Sequence, residues 1–302
     1  MTDLVACVDV GGTAVKSGLL DRDGALAHRC DRPTAPHRSW DAREVLDQVA
    51  GTVAALRERH HVVAAGVVVP GVVDEREGVA AWSANLGWRD VPARDRLADL
   101  VDVPVALGHD VRSGALAESR LGASRGHRAS VFLPIGTGIA AGIVVDGQVL
   151  SGDGFAGEVG HADVGHDERC ACGLTGCLEA VASAAGIARR YAARGGSGRV
   201  TAQEVAARAR DDDPVASAVW HEAVTALATA LAWLATLVAP EVVVVGGGLS
   251  AAGSQLLEPL ARETAARLSF QRVPALVTAE LGDQAGCIGA GLLAWDLVEA
   301  RA

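Results

Sequence analysis

The chain has 302 residues, 27 Lys+Arg against 37 Asp+Glu, 50% apolar residues and six cysteines. That length suggests about two domains, enough to bury roughly three-quarters of the unfolded surface without a disulfide scaffold. A net charge of −10 excludes the concentrated positive field that nucleic acid or an anionic membrane requires, so any phosphate must be held by something other than a basic patch.

At the N-terminus, Met1-Thr2-Asp3-Leu4 places an acid where a secretory leader needs positive charge, and the apolar run behind it is short, which gives a cytoplasmic, reducing setting. An apolar strand over 4–10 breaks at Gly11-Gly12-Thr13 and resumes over 15–20, ahead of the turn Asp21-Arg22-Asp23-Gly24. Val45, Leu46, Val49, Val53 and Leu56 predict a helix over about 41–60. A buried strand follows over 62–69, closed by Pro70-Gly71, with further strand-like segments at 103–107, 130–134 and 139–145. Beyond a Gly- and Cys-rich region, helices are expected at about 179–194, 202–210 and 215–238. The longest apolar stretch, 223–239, contains Thr225, Thr229 and Thr236 and ends at Pro240. It falls short of the roughly 20 strongly apolar residues of a membrane span and reads as a buried helix. A strand over 242–245 runs into three glycines, and a last helix covers about 289–299. Strands in runs followed by alternation with helices, twice over, suggest an α/β protein of two similar lobes with a cleft between them and a handover near Gly108.

Three glycine turns stand at strand ends: Asp9-Val10-Gly11-Gly12-Thr13, Ile135-Gly136-Thr137-Gly138-Ile139 and Val245-Gly246-Gly247-Gly248. Glycine lets backbone N–H groups approach a phosphate, Thr13 and Thr137 add hydroxyls, and Asp9 is placed to hold Mg²⁺ through water. Lys16, the sole lysine of the chain, is the cation nearest the first turn in sequence. None of the turns is a P-loop, because no Gly-Lys-Ser/Thr follows the glycines. Each alone is equally a plain turn. The three together resemble the ATP-binding elements of the superfamily that contains sugar kinases, actin and the heat-shock ATPases.

Residues 157–179 narrow the resemblance. Gly157-Glu158-Val159-Gly160-His161 precedes Cys170-Ala171-Cys172-Gly173-Leu174-Thr175-Gly176-Cys177-Leu178-Glu179. Three cysteines with a histidine nine residues upstream make a Cys₃His set suited to tetrahedral zinc, and four protein ligands would make it a structural site. His166 competes with His161 as the fourth ligand. This pattern closely resembles the signature of the ROK family (repressors, open reading frames and kinases), and the likeness runs from Asp9 to the last helix. The resemblance implies two actin-like, ribonuclease H-like lobes with an active-site cleft between them. These would be residues 1–108, with a C-terminal helix of about 289–302 packing back on them, and residues 109–288, with the zinc loop at 161–177. The repressors of the family carry an N-terminal helix-turn-helix domain. Here the phosphate strand begins at residue 4, and with the acidic charge that favours the kinase branch.

The resemblance further implies that Glu158, His161, Glu179 and Asn85 bind sugar hydroxyls, with backbone groups at Gly71 bordering the sugar. His161 would use one ring nitrogen for zinc and the other for the sugar. ATP with Mg²⁺ would lie at Asp9, Gly11, Gly12, Thr13 and Lys16, at Gly136, Thr137 and Gly138, and at Gly246, Gly247 and Gly248. The family kinases carry Glu-Asn-Asp-Ala-Asn where this chain has Gly108-His109-Asp110-Val111-Arg112. Asp110 is therefore the implied catalytic base, taking the proton of the sugar hydroxyl on carbon 6 as that oxygen attacks the γ-phosphate. His109 replaces an asparagine that contacts ring hydroxyls, so it is either a specificity residue or a variant tolerated in a glucokinase. A neutral imidazole accepting from an amino group would suit an amino-hexose such as kanosamine, a substrate type found with cyclitols in antibiotic pathways of GC-rich bacteria. The expected function is thus an ATP-dependent hexose kinase acting on glucose or an amino-hexose, with a cyclitol kinase or a non-catalytic sugar sensor as alternatives. The expected partners are sugar and ATP, without nucleic acid or membrane, in a homodimer.

Overall fold

The apolar runs in each half of the chain become the middle strands of a sheet. The structure, a computed structural model, describes residues 2–35 and 42–301. In chain order the first half holds β1 (Leu4–Val10), β2 (Ala14–Leu20), β3 (Leu26–Pro33), α1 (Arg43–Arg57), β4 (Val62–Val69), β5 (Val72–Asp74), β6 (Val79–Ser83), β7 (Trp88–Val91), α2 (Ala93–Leu100), β8 (Val105–His109) and α3 (Asp110–Leu121). The remainder holds β9 (Ala129–Pro134), β10 (Gly142–Val145), β11 (Gln148–Val149), α4 (Leu178–Ala182), α5 (Ala184–Ala193), α6 (Ala202–Arg210), α7 (Pro214–Val238), β12 (Val242–Gly246), α8 (Ser254–Ala266), β13 (Ala275–Thr278) and α9 (Ala285–Glu299). Residue 41, where the sequence begins the first helix, lies outside the described residues.

The chain divides into two units, Met1–Leu121 with Val149–Ala156 and Asp283–Ala302, and Gly122–Gln148 with Gly157–Gly282. The sequence puts the division at 108. In the structure α3 stays with the first unit, packed so closely on α9 that a Cβ on Gly289 would stand 2.1 Å from the Ser113 oxygen, and Arg120 adds a two-pronged ion pair with Asp296 at 2.7 and 2.9 Å.

The first unit carries a five-stranded sheet in the order β3-β2-β1-β4-β8 and a small sheet β5-β6-β7. β1 pairs antiparallel with β2 and parallel with β4, and β4 is parallel to β8. β1 and β4, flanked by strands on both sides, are buried along most of their length, as inner strands covered by helices must be. The second unit carries the order β11-β10-β9-β12-β13, with β10 antiparallel to β9 and β9, β12 and β13 parallel. The two sheets thus repeat one connectivity, a hairpin followed by parallel strands.

At 25 residues, α7 is the one helix among those described that is long and apolar enough to cross a membrane. Val219, Leu227 and Leu231 lie in the core of the second unit, and the hydroxyls of Thr229 and Thr236 bond back to carbonyls four residues earlier. It packs as the buried helix that the sequence predicts.

Candidate active site

In the first unit the C-terminal ends of the parallel strands supply the acidic groups. Asp9 ends β1 just before the Gly11–Thr13 turn, and Asp110 opens α3 directly after β8. The turn is closed by Gly11 N–H donating to Ala14 O at 2.8 Å, and it is tied to the end of β3 by Thr34 Oγ1 donating to Gly11 O. Asn85 lies beside this turn: a Cβ built on Gly12 would stand 3.2 Å from its carbonyl oxygen. Gly71, with φ +110°, abuts the Trp82 carbonyl on β6. The Lys16 ammonium donates to the Asp283 carbonyl at 3.0 Å and pairs with its carboxylate at 3.5 Å, so it is engaged at the turn that precedes α9.

Burial first, and the charge of Asp110 second, push Asp9 up to about 7; Lys16 pulls the other way. Burial likewise pushes Asp110 up to about 6, opposed by the Val111 N–H and the Arg112 charge. Asp110 keeps 32% of its side-chain surface exposed, which leaves the carboxyl reachable while protein surrounds its other sides. Such an acid is a ready proton acceptor near neutral pH.

His109 is buried and held on all sides. Its Nδ1 accepts the Arg112 backbone N–H at 3.3 Å, and its Nε2 stands 3.3 Å from Asp110 Oδ1. Burial and the Arg112 charge lower its pKa to about 3, so the ring is neutral. Both ring nitrogens thus stand against groups of the chain itself. Glu75 and Arg112, which sequence reasoning passed over, complete the cluster: Glu75 Oε1 accepts from His109 N and Arg112 Nε, each at 3.1 Å.

In the second unit the structure brings two of the glycine turns together. Ile135 N–H donates to Gly246 O at 2.9 Å and Leu249 N–H to Ile135 O at 3.1 Å. Gly247, at φ +73°, lies so close that a Cβ there would stand 2.5 Å from the Ile135 carbonyl oxygen. Thr137 is exposed between Gly136 and Gly138. Glu179, in the first turn of α4, accepts the Ile139 N–H at 3.0 Å, so one carboxylate oxygen braces the turn at its far side.

Both glycines of Gly157-Glu158-Val159-Gly160-His161 lie against the backbone after that turn. A Cβ on Gly157 would stand 1.9 Å from the Ala141 oxygen, and one on Gly160 2.0 Å from the Ile139 oxygen. Only glycine permits this approach, and it fixes Glu158 and His161 beside the turn. The donor atoms of His161, Cys170, Cys172 and Cys177 all lie within 4.8 Å of one another. Cys172 and Cys177 Sγ are 3.6 Å apart, and Cys170 Sγ is 3.8 Å from His161 Nδ1. A zinc tetrahedron with Zn–S bonds near 2.3 Å has edges of about 3.8 Å, so the residues fit the ion. His166 is outside the cluster, engaged with Arg190, Glu222 and the Glu168 N–H.

Comparison with known proteins places these features in context. The chain matches the ROK family over residues 5–296. It is 34% identical over 311 residues to a glucokinase of Halalkalibacterium halodurans, covering 95% of this chain and 93% of that one. It is 33% identical over 295 residues to an N-acetylmannosamine kinase of Escherichia coli, covering 95% and 97%. Among solved structures, a ROK family glucokinase from Streptomyces griseus in complex with glucose and AMPPNP matches with a TM-score of 0.83 at 30% identity, over 97% of this chain and 99% of that one.

Proposed function

This chain belongs to the ROK family, and on that premise we propose that it is an ATP-dependent sugar kinase whose acceptor is the 6-hydroxyl of a hexose, glucose first. The observation that carries the reading is Asp110, a carboxyl raised to about 6 by burial yet reachable at the end of β8. In the reaction, the hexose oxygen bonds to the γ-phosphorus as the bond from that phosphorus to the β-phosphate bridging oxygen breaks. ADP leaves, and the hydroxyl proton passes to Asp110. The transition state is loose, so positioning contributes more than the base.

Gly11, Gly12, Thr13, Gly136, Thr137, Gly138, Gly246, Gly247 and Gly248 are assigned to the nucleotide, which they would hold by backbone N–H and hydroxyl groups. Asp9 is assigned to the water shell of Mg²⁺, and the ion would supply charge neutralisation at the phosphates. Lys16 supports that carboxylate by its charge. Asn85, Gly71, Glu158, His161 and Glu179 are assigned to the sugar. Zinc held by His161 Nδ1, Cys170, Cys172 and Cys177 would clamp the loop and fix the ring, leaving Nε2 of His161 to a hydroxyl.

The N-acetylmannosamine kinase relative supports a second acceptor class, the 2-acylamino-hexoses. Kanosamine rests on a neutral imidazole acceptor at His109, whose Nδ1 accepts the Arg112 N–H, so it ranks below glucose and the acylamino-hexoses. A sensor without catalysis would not need Asp110. The test is release of ADP from ATP-Mg²⁺ across hexoses, amino-hexoses, acylamino-hexoses and cyclitols: sugar-dependent release supports the kinase, and none with any acceptor refutes it.

A further inference from the structure

Behind Asp110 the first unit builds a polar cluster around the buried Arg112. Arg112, 1% exposed, spends its guanidinium on Glu75 Oε1 at 3.1 Å, the Gly154 carbonyl at 3.1 Å and the Val73 carbonyl at 2.8 Å. The same Glu75 oxygen accepts the His109 backbone N–H. His109 is therefore anchored through its own backbone, and its ring is anchored by the Arg112 N–H on Nδ1. An N–H donor at Nδ1 requires the lone pair there, which puts the ring proton on Nε2. That Nε2 stands 3.3 Å from Asp110 Oδ1, within ion-pair distance but not in hydrogen-bond alignment, and the Val111 N–H donates to the same oxygen at 2.7 Å.

We propose that His109 is a positioning residue for phosphoryl transfer, its Nε2–H directed at Asp110 Oδ1 so that Oδ2 is presented to the acceptor hydroxyl. The inference rests on the kinase reading above. The Val111 N–H already bonds Oδ1; a second donor from the imidazole beside it would fix the rotation of the group and leave the other oxygen to take the proton. At 3.3 Å the imidazole and carboxylate are not aligned as a hydrogen bond, as catalytic contacts often are not without substrate, and the positioning role requires them to align in the reacting complex. The Arg112 N–H holds the ring at Nδ1 and Glu75 holds the His109 backbone, which together keep Nε2 beside Asp110. On this account the residue acts through the base and leaves the choice of sugar to others.

The account separates turnover from binding. His109→Leu lowers kcat roughly 10- to 100-fold, the loss expected from a misplaced reacting group, while KM for sugar and for ATP stays within about two-fold of wild type. His109→Gln, whose amide nitrogen reaches the place of Nε2, recovers most of that turnover. A raised sugar KM, or a changed ratio of activities between hexoses, at wild-type kcat would overturn the proposal. Nitrogen-15 NMR of the wild-type ring, which needs no activity and no variant that must fold, should show the neutral Nε2–H tautomer; the Nδ1–H tautomer or an imidazolium at neutral pH would overturn it. If the tautomer is as expected but wild type releases no sugar-dependent ADP, the kinase reading fails and takes the catalytic role of His109 with it, while the ring's placement against Asp110 stands.

Discussion

Asp110 is held in a state that opposes folding and suits a base. Its raised pKa means that the folded protein binds its proton more tightly than the unfolded chain does. That contribution to stability is present in full below the ordinary carboxylate range and is lost as pH rises through about 6. Asp110→Asn removes the penalty, so its Tm should exceed that of wild type at pH 8, with the gap closing toward pH 5; a wild-type Tm higher at pH 8 would count against it. The base role proposed for it rests on a recognisable local pattern in the sequence. Glu75 and Arg112 were not legible, since they meet across 37 positions with no periodicity to announce it. His109 was visible as a departure from the pattern, but its contacts were not. Only the backbone of the helix after it, through the Arg112 N–H, decides which way the ring points.

At the scale of elements, the cysteine loop and the glycine turn behind it form one device. Backbone contacts at Gly157 and Gly160 set Glu158 and His161 beside Gly136–Gly138, and Glu179 ties α4 to the same turn. Gly160→Ala forces a methyl group against the Ile139 carbonyl and should cost about 1–3 kcal/mol of stability, read as a lower Tm together with weaker sugar binding. An unchanged Tm would show that the hairpin can yield. Cys172→Ala should abolish stoichiometric zinc, because three donors do not close a structural tetrahedron. Zinc content equal to wild type would remove Cys172 from the ligand set.

The same scale shows what the sequence conceals. Apolar runs announced β1, β4 and β12, and the repeated Leu, Val and Ala positions announced α7. Missed were β5, β6 and β7, which are short. Also missed were α2 and α3, whose charged and small residues mask the apolar face, and α8, which carries Pro259 inside it. The helix read over 179–194 is two helices, because Ser183 leaves the helical conformation and caps α5 by accepting the Gly186 N–H.

Over the whole molecule, one sheet connectivity occurs twice, and the chain carries a net charge of −10. A phosphate held by turn N–H groups does not depend on a long-range positive field. The KM for ATP-Mg²⁺ should therefore change less than about three-fold as salt rises from roughly 0.05 to 0.3 M, because screening acts chiefly on exposed charge. A steep rise in KM over that range would point to a basic patch instead. The central claim, that Asp110 serves transfer of the γ-phosphoryl group to a hexose, is tested most directly with ATP labelled at its γ-phosphorus, using wild type and Asp110→Asn in parallel. The account predicts label in a hexose 6-phosphate with wild type, and transfer reduced by about 10²-fold or more in the variant at near-normal sugar affinity. Label that never reaches the sugar, or equal transfer by the two proteins, would contradict it.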